Sequence, residues 1–249
     1  MSSVSGSSDF VLSFDELSEP KIRTRIASIA LGGSHQHTPA SGAPPLIQID
    51  GASGQPHALM AIRSAVRLHV TGSLGDYSLS YCSRCDVRVD GHGGHGVGEC
   101  LSGAAIRFRG NAGHAAGVGM LGGTLAIYGS AGDRLGAAMS AGELFVRGDV
   151  GGDAGVSMRG GTIVIGGNAG PRLGEALGTG TIYLRGRAES LADGMVEVGL
   201  RKRDELRLGM LLINASIRGA AKEFRRVIPE SLWRTEESRH QGEVRPSWR

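Results

Sequence analysis

Aromatic side chains are scarce in this chain of 249 residues, since Phe, Trp and Tyr make up only 4% of it. A core with so few aromatic residues has to be built from Val, Ile, Leu, Ala and Met, which suits many thin, similar layers. No apolar run approaches the ~20 residues of a membrane-spanning helix. The first ten residues contain neither a basic nor an apolar segment, so they do not predict a signal peptide. We therefore expect a cytoplasmic protein with no membrane partner.

The net charge is only +3, and the basic excess is uneven. Residues 201–249 contain 12 Lys and Arg against 7 Asp and Glu, a local balance of +5. Such a segment is typical of contact with nucleic acid or with an acidic protein surface. Aromatic residues do not alternate with the basic ones, so we expect no nucleic-acid partner.

Glycine, in contrast, is abundant: 42 residues, more than double ordinary usage. The stretch GNAGHAAGVGMLGGT (residues 110–124) resembles a phosphate-binding loop, but such a loop occurs once, between a strand and a helix. Here the glycines recur at a strict spacing of 19 residues, at Gly72, Gly91, Gly110, Gly129, Gly148, Gly167 and Gly186. A second glycine follows three residues later in six repeats, and a third follows four residues after that in five. The pattern indicates a repeated turn and not a phosphate loop.

Apolar residues stand four and two positions before each of these glycines, which is the alternation of a half-buried strand. Another apolar position follows ten residues after each glycine: Cys82, Leu101, Met120, Met139, Met158, Leu177 and Val196. A period this short leaves no room for helices. The sequence therefore predicts an all-β fold, a right-handed parallel β-helix (solenoid) of about seven 19-residue coils with helical caps at its ends. The glycines are expected where φ is positive or where neighbouring coils crowd together.

Three regions follow from this pattern: an N-terminal cap and linker at 1–58, the β-helix at 59–200, and a C-terminal helix with a basic tail at 201–249. In the first, a capping-box pattern at Ser13–Glu16 precedes apolar residues at helical spacing, and residues 34–58 are predicted to be a loop. At the far end, Glu189 and Asp193 replace the second and third glycines of the last repeat. The expected buried face of the C-terminal helix is formed by Leu206, Met210, Ile213, Ile217, Ala221 and Phe224. Trp233 and Trp248 are either partner anchors or parts of a disordered tail.

The cysteines invite a zinc or iron–sulfur interpretation, because Cys82, Cys85 and Cys100 lie close to His92 and His95 in the sequence. Three is an odd number, which does not favour a disulfide framework. The repeat offers a simpler account, since all three thiols occupy positions that are small or apolar in other coils. We expect reduced thiols and no metal.

Polar residues at the corners are the other candidates for chemistry. His92, His95 and His114 occupy positions that hold Asn, Ser or Asp elsewhere, where side chains usually satisfy backbone groups. Of the scattered carboxylates, only Asp133 and Asp153 come near each other by register, whereas polysaccharide cleavage needs a gathered pair. We therefore predict no catalytic, cofactor-binding or metal-binding residue on this chain. Arg107, Arg109, Arg147 and Arg185 are expected to form a basic stripe on the outer face, either for a partner or merely solvated.

The repeat GNAGxxxGxxMxGGxIxVxG resembles the glycine-rich β-helix domain that ends the large subunit of glutamate synthase. It also resembles the standalone subunit of N-methylglutamate synthase and related complexes. The resemblance covers about residues 55–200 and includes GQPHALMAI (54–62) and YLRGRAESLADGMVEVGL (183–200). Ala192 departs from it, because the family commonly has glycine there, and the C-terminal extension has no counterpart.

This resemblance implies a non-catalytic subunit that holds an amidotransferase subunit against an FMN-dependent synthase subunit in a hetero-oligomer. FMN and an iron–sulfur cluster would then belong to the partner subunits, and this chain would carry no cofactor. A nearly identical repeat occurs in the β-helix subunit of formylmethanofuran dehydrogenase and in its counterpart in the bacterial formyltransferase/hydrolase complex. That second resemblance implies a scaffold for one-carbon transfer.

Overall fold

The computed structural model describes residues 10–32, 43–215, 217 and 219–242. Within them the chain forms one sheet of eleven strands and three α-helices. The strands are β1 Phe10–Ser13, β2 Leu46–Ser53, β3 Arg67–Ser73, β4 Asp86–Asp90, β5 Ser102–Phe108, β6 Leu121–Ile127, β7 Ala141–Val146, β8 Thr162–Ile165, β9 Thr181–Leu184, β10 Met195–Val198 and β11 Arg225–Pro229. The helices are α1 Glu19–Ala30, α2 Lys202–Asn214 and α3 Glu230–Gly242. No helix in these ranges is both long and apolar enough to cross a membrane.

Strands β3 to β9 stack in parallel, each displaced by 19 residues from the one before, so that Leu68 pairs with Val87 and Ile163 with Ile182. A second line of parallel bridges runs at the same spacing from Leu74 through Gly93 to Ala188. Equivalent residues of successive coils therefore lie directly above one another. The prediction of a parallel β-solenoid of about seven turns is confirmed.

The core consists of the predicted columns. All fourteen residues four and two positions before the repeat glycines are buried, with Phe108 as the bulkiest of them. The column ten residues after the glycines is buried from Cys82 to Leu177, but Val196 is wrong as its last member. One residue is missing from the last coil, where Leu173 pairs with Leu191 at a spacing of 18. As a result Met195 packs against the core, while Val196 lies on β10 opposite Ile228.

Because of this missing residue, the position that corresponds to the third glycine in the last coil also differs from the predicted one. The backbone N–H of Ala192 donates to the carbonyl of Leu173, just as Gly174 donates to Ala154 in the coil before. Ala192, and not Asp193, therefore takes the place of the third glycine.

The glycine columns have two separate physical causes, as predicted. At Gly91 the backbone of the neighbouring coil is so close that an added Cβ would lie 2.1 Å from the carbonyl oxygen of Gly72. At Gly136 the requirement is conformational, because φ is +62°. The second requirement is the weaker one, since Leu79 adopts φ +58° in the same column.

The N-terminal region contributes more sheet than the sequence suggested. β2 pairs in parallel with β3, and β1 pairs with β2, so the loop prediction for 34–58 is wrong for residues 46–53. The capping box at Ser13–Glu16 is also wrong: α1 starts at Glu19, with Ser18 as its N-cap. Its apolar face was predicted correctly, because Ile22, Ile26 and Ile29 are buried. Residues 33–42, including Pro39, lie outside the described residues.

The C-terminal segment folds back onto the solenoid. β11 is inserted between β9 and β10 and runs antiparallel to both. α3 follows, held by an ion pair between the buried Arg226 and Glu236 at 2.6 Å. Trp233 stacks under the Arg201 guanidinium within this chain, at 6.0 Å. The disordered-tail alternative is therefore wrong for Trp233, which lies in α3, and Trp248 lies outside the described residues.

The predicted face of the C-terminal helix is wrong over α2. Leu208, Leu211 and Leu212 are the residues that α2 buries, whereas Leu206, Met210 and Ile213 point to solvent. Further along the chain, Ile217 and Phe224 are buried, but α2 ends at Asn214, so the predicted helix is too long. The error has a simple cause: α2 is apolar on two faces, and the helical period alone cannot say which one packs.

Candidate partner-binding surface

The corner side chains of the solenoid hydrogen-bond the backbone of the next coil. In the first column, the side chain of each residue accepts a bond from the backbone N–H one coil later, at 2.6–3.2 Å. The acceptors are Ser73, His92, Asn111, Ser130, Asp149 and Asn168. Each corner thus satisfies a backbone donor that no strand reaches. The prediction that His92 has this role is confirmed.

A second column three residues along has the same arrangement. Nδ1 of His95 accepts from the N–H of His114, and Nδ1 of His114 accepts from the N–H of Asp133, both at 2.9 Å. The Asp133 carboxylate accepts in turn from Gly152, also at 2.9 Å. The rings of His95 and His114 stack at 5.0 Å. Nδ1 of His114 also lies 3.3 Å from Oδ2 of Asp133.

Asp153 is also occupied. Its carboxylate forms a two-point pair with the guanidinium of Arg172, at 2.7 and 2.6 Å. The hydrogen bond from Arg172 lowers the pKa of Asp153, although partial desolvation opposes it. Asp133 and Asp153 are therefore engaged by different groups: Asp133 contacts a backbone amide and the His114 ring, and Asp153 is paired with an arginine.

Two of the three cysteines are core residues, as the repeat predicted. Cys82 and Cys85 are buried, and the Cys82 thiol donates to the carbonyl of Leu59 at 3.3 Å. The hydrogen bond from Cys85 lowers the pKa of Cys82, and the same interaction together with burial raises the pKa of Cys85. Cys100 is half-buried, and burial raises its pKa. Among the described residues, no group of three or more His, Cys, Asp or Glu is placed to hold a metal ion.

The outer face of the sheet is divided into a polar half and an apolar half. One column of outward-pointing residues runs through His69, Arg88, Arg107, Ala126, Phe145, Val164 and Tyr183. Its last four members are buried beneath α2 and the segment that follows it, against Leu208, Leu211 and Phe224 among others. The first three members remain partly open to solvent.

A groove of about 540 Å³ lies on the polar half of this face, next to the covered patch. Its lining consists of Asp86, Arg88, Arg107, Arg109, Tyr128 and Arg147. Tyr128 also packs against the apolar cluster under α2, so it marks the boundary between the two halves. We call this feature the arginine groove.

Ion pairs organise one end of the arginine groove. The Asp90 carboxylate contacts Arg88, Arg109 and His69 at 3.1, 3.0 and 2.9 Å. Arg107 contacts the Asp86 carboxylate at 2.5 Å. Burial alone would raise the pKa of Asp90, but the hydrogen bonds from His69 and Arg88 outweigh it and hold that pKa below its usual value. Asp90 is therefore a carboxylate at neutral pH.

The predicted basic stripe is brought together only in part. Arg107, Arg109 and Arg147 line the groove, whereas Arg185 donates to the carbonyl of Gly166 at 2.7 Å and lies over the Phe224 ring. Arg185 therefore contacts the C-terminal segment and does not line the groove. Sequence reasoning missed Arg88, which stands one coil before Arg107 in the same column and could have been found from the 19-residue spacing.

The outer side of α2 carries an exposed apolar ridge. Leu206, Met210 and Ile213 are 74%, 67% and 78% exposed. Their spacing of four and three residues places them on one helical face. Lys202, Arg203 and Arg207, on the same helix, are also exposed. We call the three apolar residues the α2 ridge.

No protein-family model matches this chain, and no match is found among the curated proteins.

Proposed function

We propose that this chain is a non-catalytic scaffold subunit of a cytoplasmic, glutamate-synthase-like enzyme complex. In this role it holds an amidotransferase subunit against an FMN-dependent synthase subunit. The flavin and an iron–sulfur cluster belong to those partners. The chain itself supplies a rigid spacer of stacked coils.

The α2 ridge is the observation that carries the proposal. Single exposed leucines are ordinary, but three large apolar side chains on one face of one helix form a contiguous patch that is unfavourable in water. The opposite face of α2 is already buried on the sheet, so the ridge is not needed for folding. Its occupant on this proposal is an apolar surface of a partner subunit, with acidic residues opposite Lys202, Arg203 and Arg207.

The polar residues at the corners of the coils also support a non-catalytic role. Histidines and carboxylates that could serve as acids, bases or ligands accept backbone bonds in the two columns or pair with arginine. In these contacts they have a structural role between neighbouring coils. The identity of the partners rests on the resemblance of residues 55–200 to the standalone subunits of N-methylglutamate synthase type.

A second candidate is the scaffold of a formyltransferase/hydrolase complex in one-carbon transfer. The 19-residue repeat supports it equally, because the coils resemble those of both families, and the C-terminal segment with α2 and β11 lies beyond the portion that the first resemblance covers. Both candidates give this chain the same physical role and differ in its partners.

Purification of the tagged full-length chain from its own cells, with identification of the co-purifying subunits, tests the proposal. We expect an amidotransferase and a flavin-containing synthase, recognised by mass spectrometry and by the absorption of FMN. Recovery of a formyltransferase and a metallohydrolase would replace this proposal with the second candidate. Recovery of the chain alone, as a monomer or as a homo-oligomer, would contradict both.

A further inference from the structure

The arginine groove has more positive than negative side chains. At one end, Asp90 lies between Arg88 and Arg109 and contacts both. Two coils beyond Arg109, Arg147 lines the same groove, and its guanidinium has no hydrogen-bond or ion-pair partner within the described part of the chain. Four arginines are therefore balanced by only two aspartates, and the unbalanced charge lies at the Arg147 end.

We infer that the arginine groove binds an extended acidic segment of a partner protein, with one carboxylate between Arg109 and Arg147. The inference rests on the scaffold role proposed above and adds the chemistry of one contact. Guanidinium groups recognise carboxylates through paired, planar hydrogen bonds, and Arg107 and Asp86, which both line the groove, already form a guanidinium–carboxylate contact.

The dimensions of the groove suit a peptide better than a small anion. Arg88 and Arg147 stand three coils apart, roughly 14 Å at ~4.8 Å per coil. A single carboxylate cannot span that length, whereas four or five extended residues at ~3.3 Å each can. Arg109 and Arg147 are two coils apart, about 10 Å, so their long side chains can approach one carboxylate between them from both sides.

The two aspartates also distinguish a peptide from nucleic acid. Asp86 and Asp90 place negative charge along one end of the groove, where a continuous phosphate backbone would be repelled. A peptide can present neutral or basic side chains there and glutamates only at the Arg147 end. Tyr128 supplies an aromatic wall between the two arginines.

Binding of a fluorescein-labelled hexaglutamate peptide to the full-length chain tests this inference, with hexaglutamine and a ten-nucleotide single-stranded RNA as comparison probes. We expect hexaglutamate to bind at low salt and hexaglutamine not to bind. An exposed charge pair contributes only modestly to affinity, so Arg147→Gln should weaken hexaglutamate binding by about 3-fold and Arg109→Gln/Arg147→Gln by about 10-fold. Arg159→Gln, an exposed arginine outside the groove, is the matched control and should leave the affinity unchanged.

Two results would overturn the inference: no binding of hexaglutamate by the wild-type chain, or equal affinity for all three variants. Tighter binding of the RNA, lost in the double variant, would make the groove a nucleic-acid site and overturn it as well. The two proposals can fail separately. If the partner subunits co-purify while the peptide does not bind, only the groove assignment falls, and if the peptide binds while the chain is recovered alone, only the scaffold complex falls.

Discussion

At the scale of single residues, the stack is limited by how closely neighbouring coils approach. The backbone of one coil lies against the next at the repeat glycines, and an added Cβ at Gly91 would meet a backbone oxygen and not a movable side chain. Corner side chains accept hydrogen bonds from backbone amides that are not paired within the strands. A coil therefore tolerates change at its polar corners, provided that an acceptor remains, but not at its crowded glycines.

Replacement of Gly91 by alanine should destabilise the fold, because the neighbouring backbone has to move to admit the methyl group. We expect a loss of roughly 1–3 kcal/mol in the free energy of unfolding, measured by urea denaturation. Gly209→Ala is the matched control: nothing lies within 4 Å of its added Cβ, and it sits inside α2. Alanine there should stabilise by about 0.5–1 kcal/mol. Equal effects of the two substitutions would contradict the crowding argument.

Most residue-scale features follow from the sequence because the period fixes them. The burial of Leu68 or Phe108 and the backbone role of His114 depend only on position within a coil. The arginine groove could not be predicted in this way. Arg88 and Asp90 lie in different columns, and their contact depends on side-chain lengths and rotamers that the 19-residue spacing does not specify. Met195 was missed for a different reason, because one missing residue shifts the last coil out of the 19-residue register.

At the scale of elements, α2 is the decisive one, because it is apolar on two faces and packs with only one. Its buried face covers the outward residues Ala126, Phe145, Val164 and Tyr183, which would otherwise leave an apolar patch on the sheet. The helical period predicts a helix here but is the same for both faces. Which face packs is decided by the sheet that receives it, so sequence reasoning chose wrongly.

Two matched substitutions on α2 separate its faces. Leu208→Ala removes a fully buried side chain from the cluster under the helix and should lower the free energy of unfolding by about 2–5 kcal/mol. Leu206→Ala removes the same atoms from the exposed ridge and should change it by no more than about 0.5 kcal/mol. Urea denaturation of the isolated chain measures both. A comparable loss in the two variants would mean that the ridge is part of the fold.

At the scale of the whole molecule, the chain is a stack of similar coils with added elements at its ends. β1 and β2 extend the sheet at one end, and β11 enters it at the other, between β9 and β10. Neither addition follows the repeat, so neither was predicted from it. The C-terminal additions cover one half of the outer face and leave the other half as the arginine groove, and they place the α2 ridge on the outside.

The central claim is that the α2 ridge attaches this chain to its partner subunits, and one measurement tests it most directly. The tagged chain and its Leu206→Ser/Met210→Ser/Ile213→Ser variant are purified from cells under the same conditions, and the yield of partner subunits per mole of chain is compared. A Leu31→Ser/Leu121→Ser variant, which alters exposed leucines elsewhere, is the control. The account predicts that the ridge variant folds normally and loses most of a partner that the control retains. Full recovery of the partners with the ridge variant would contradict it.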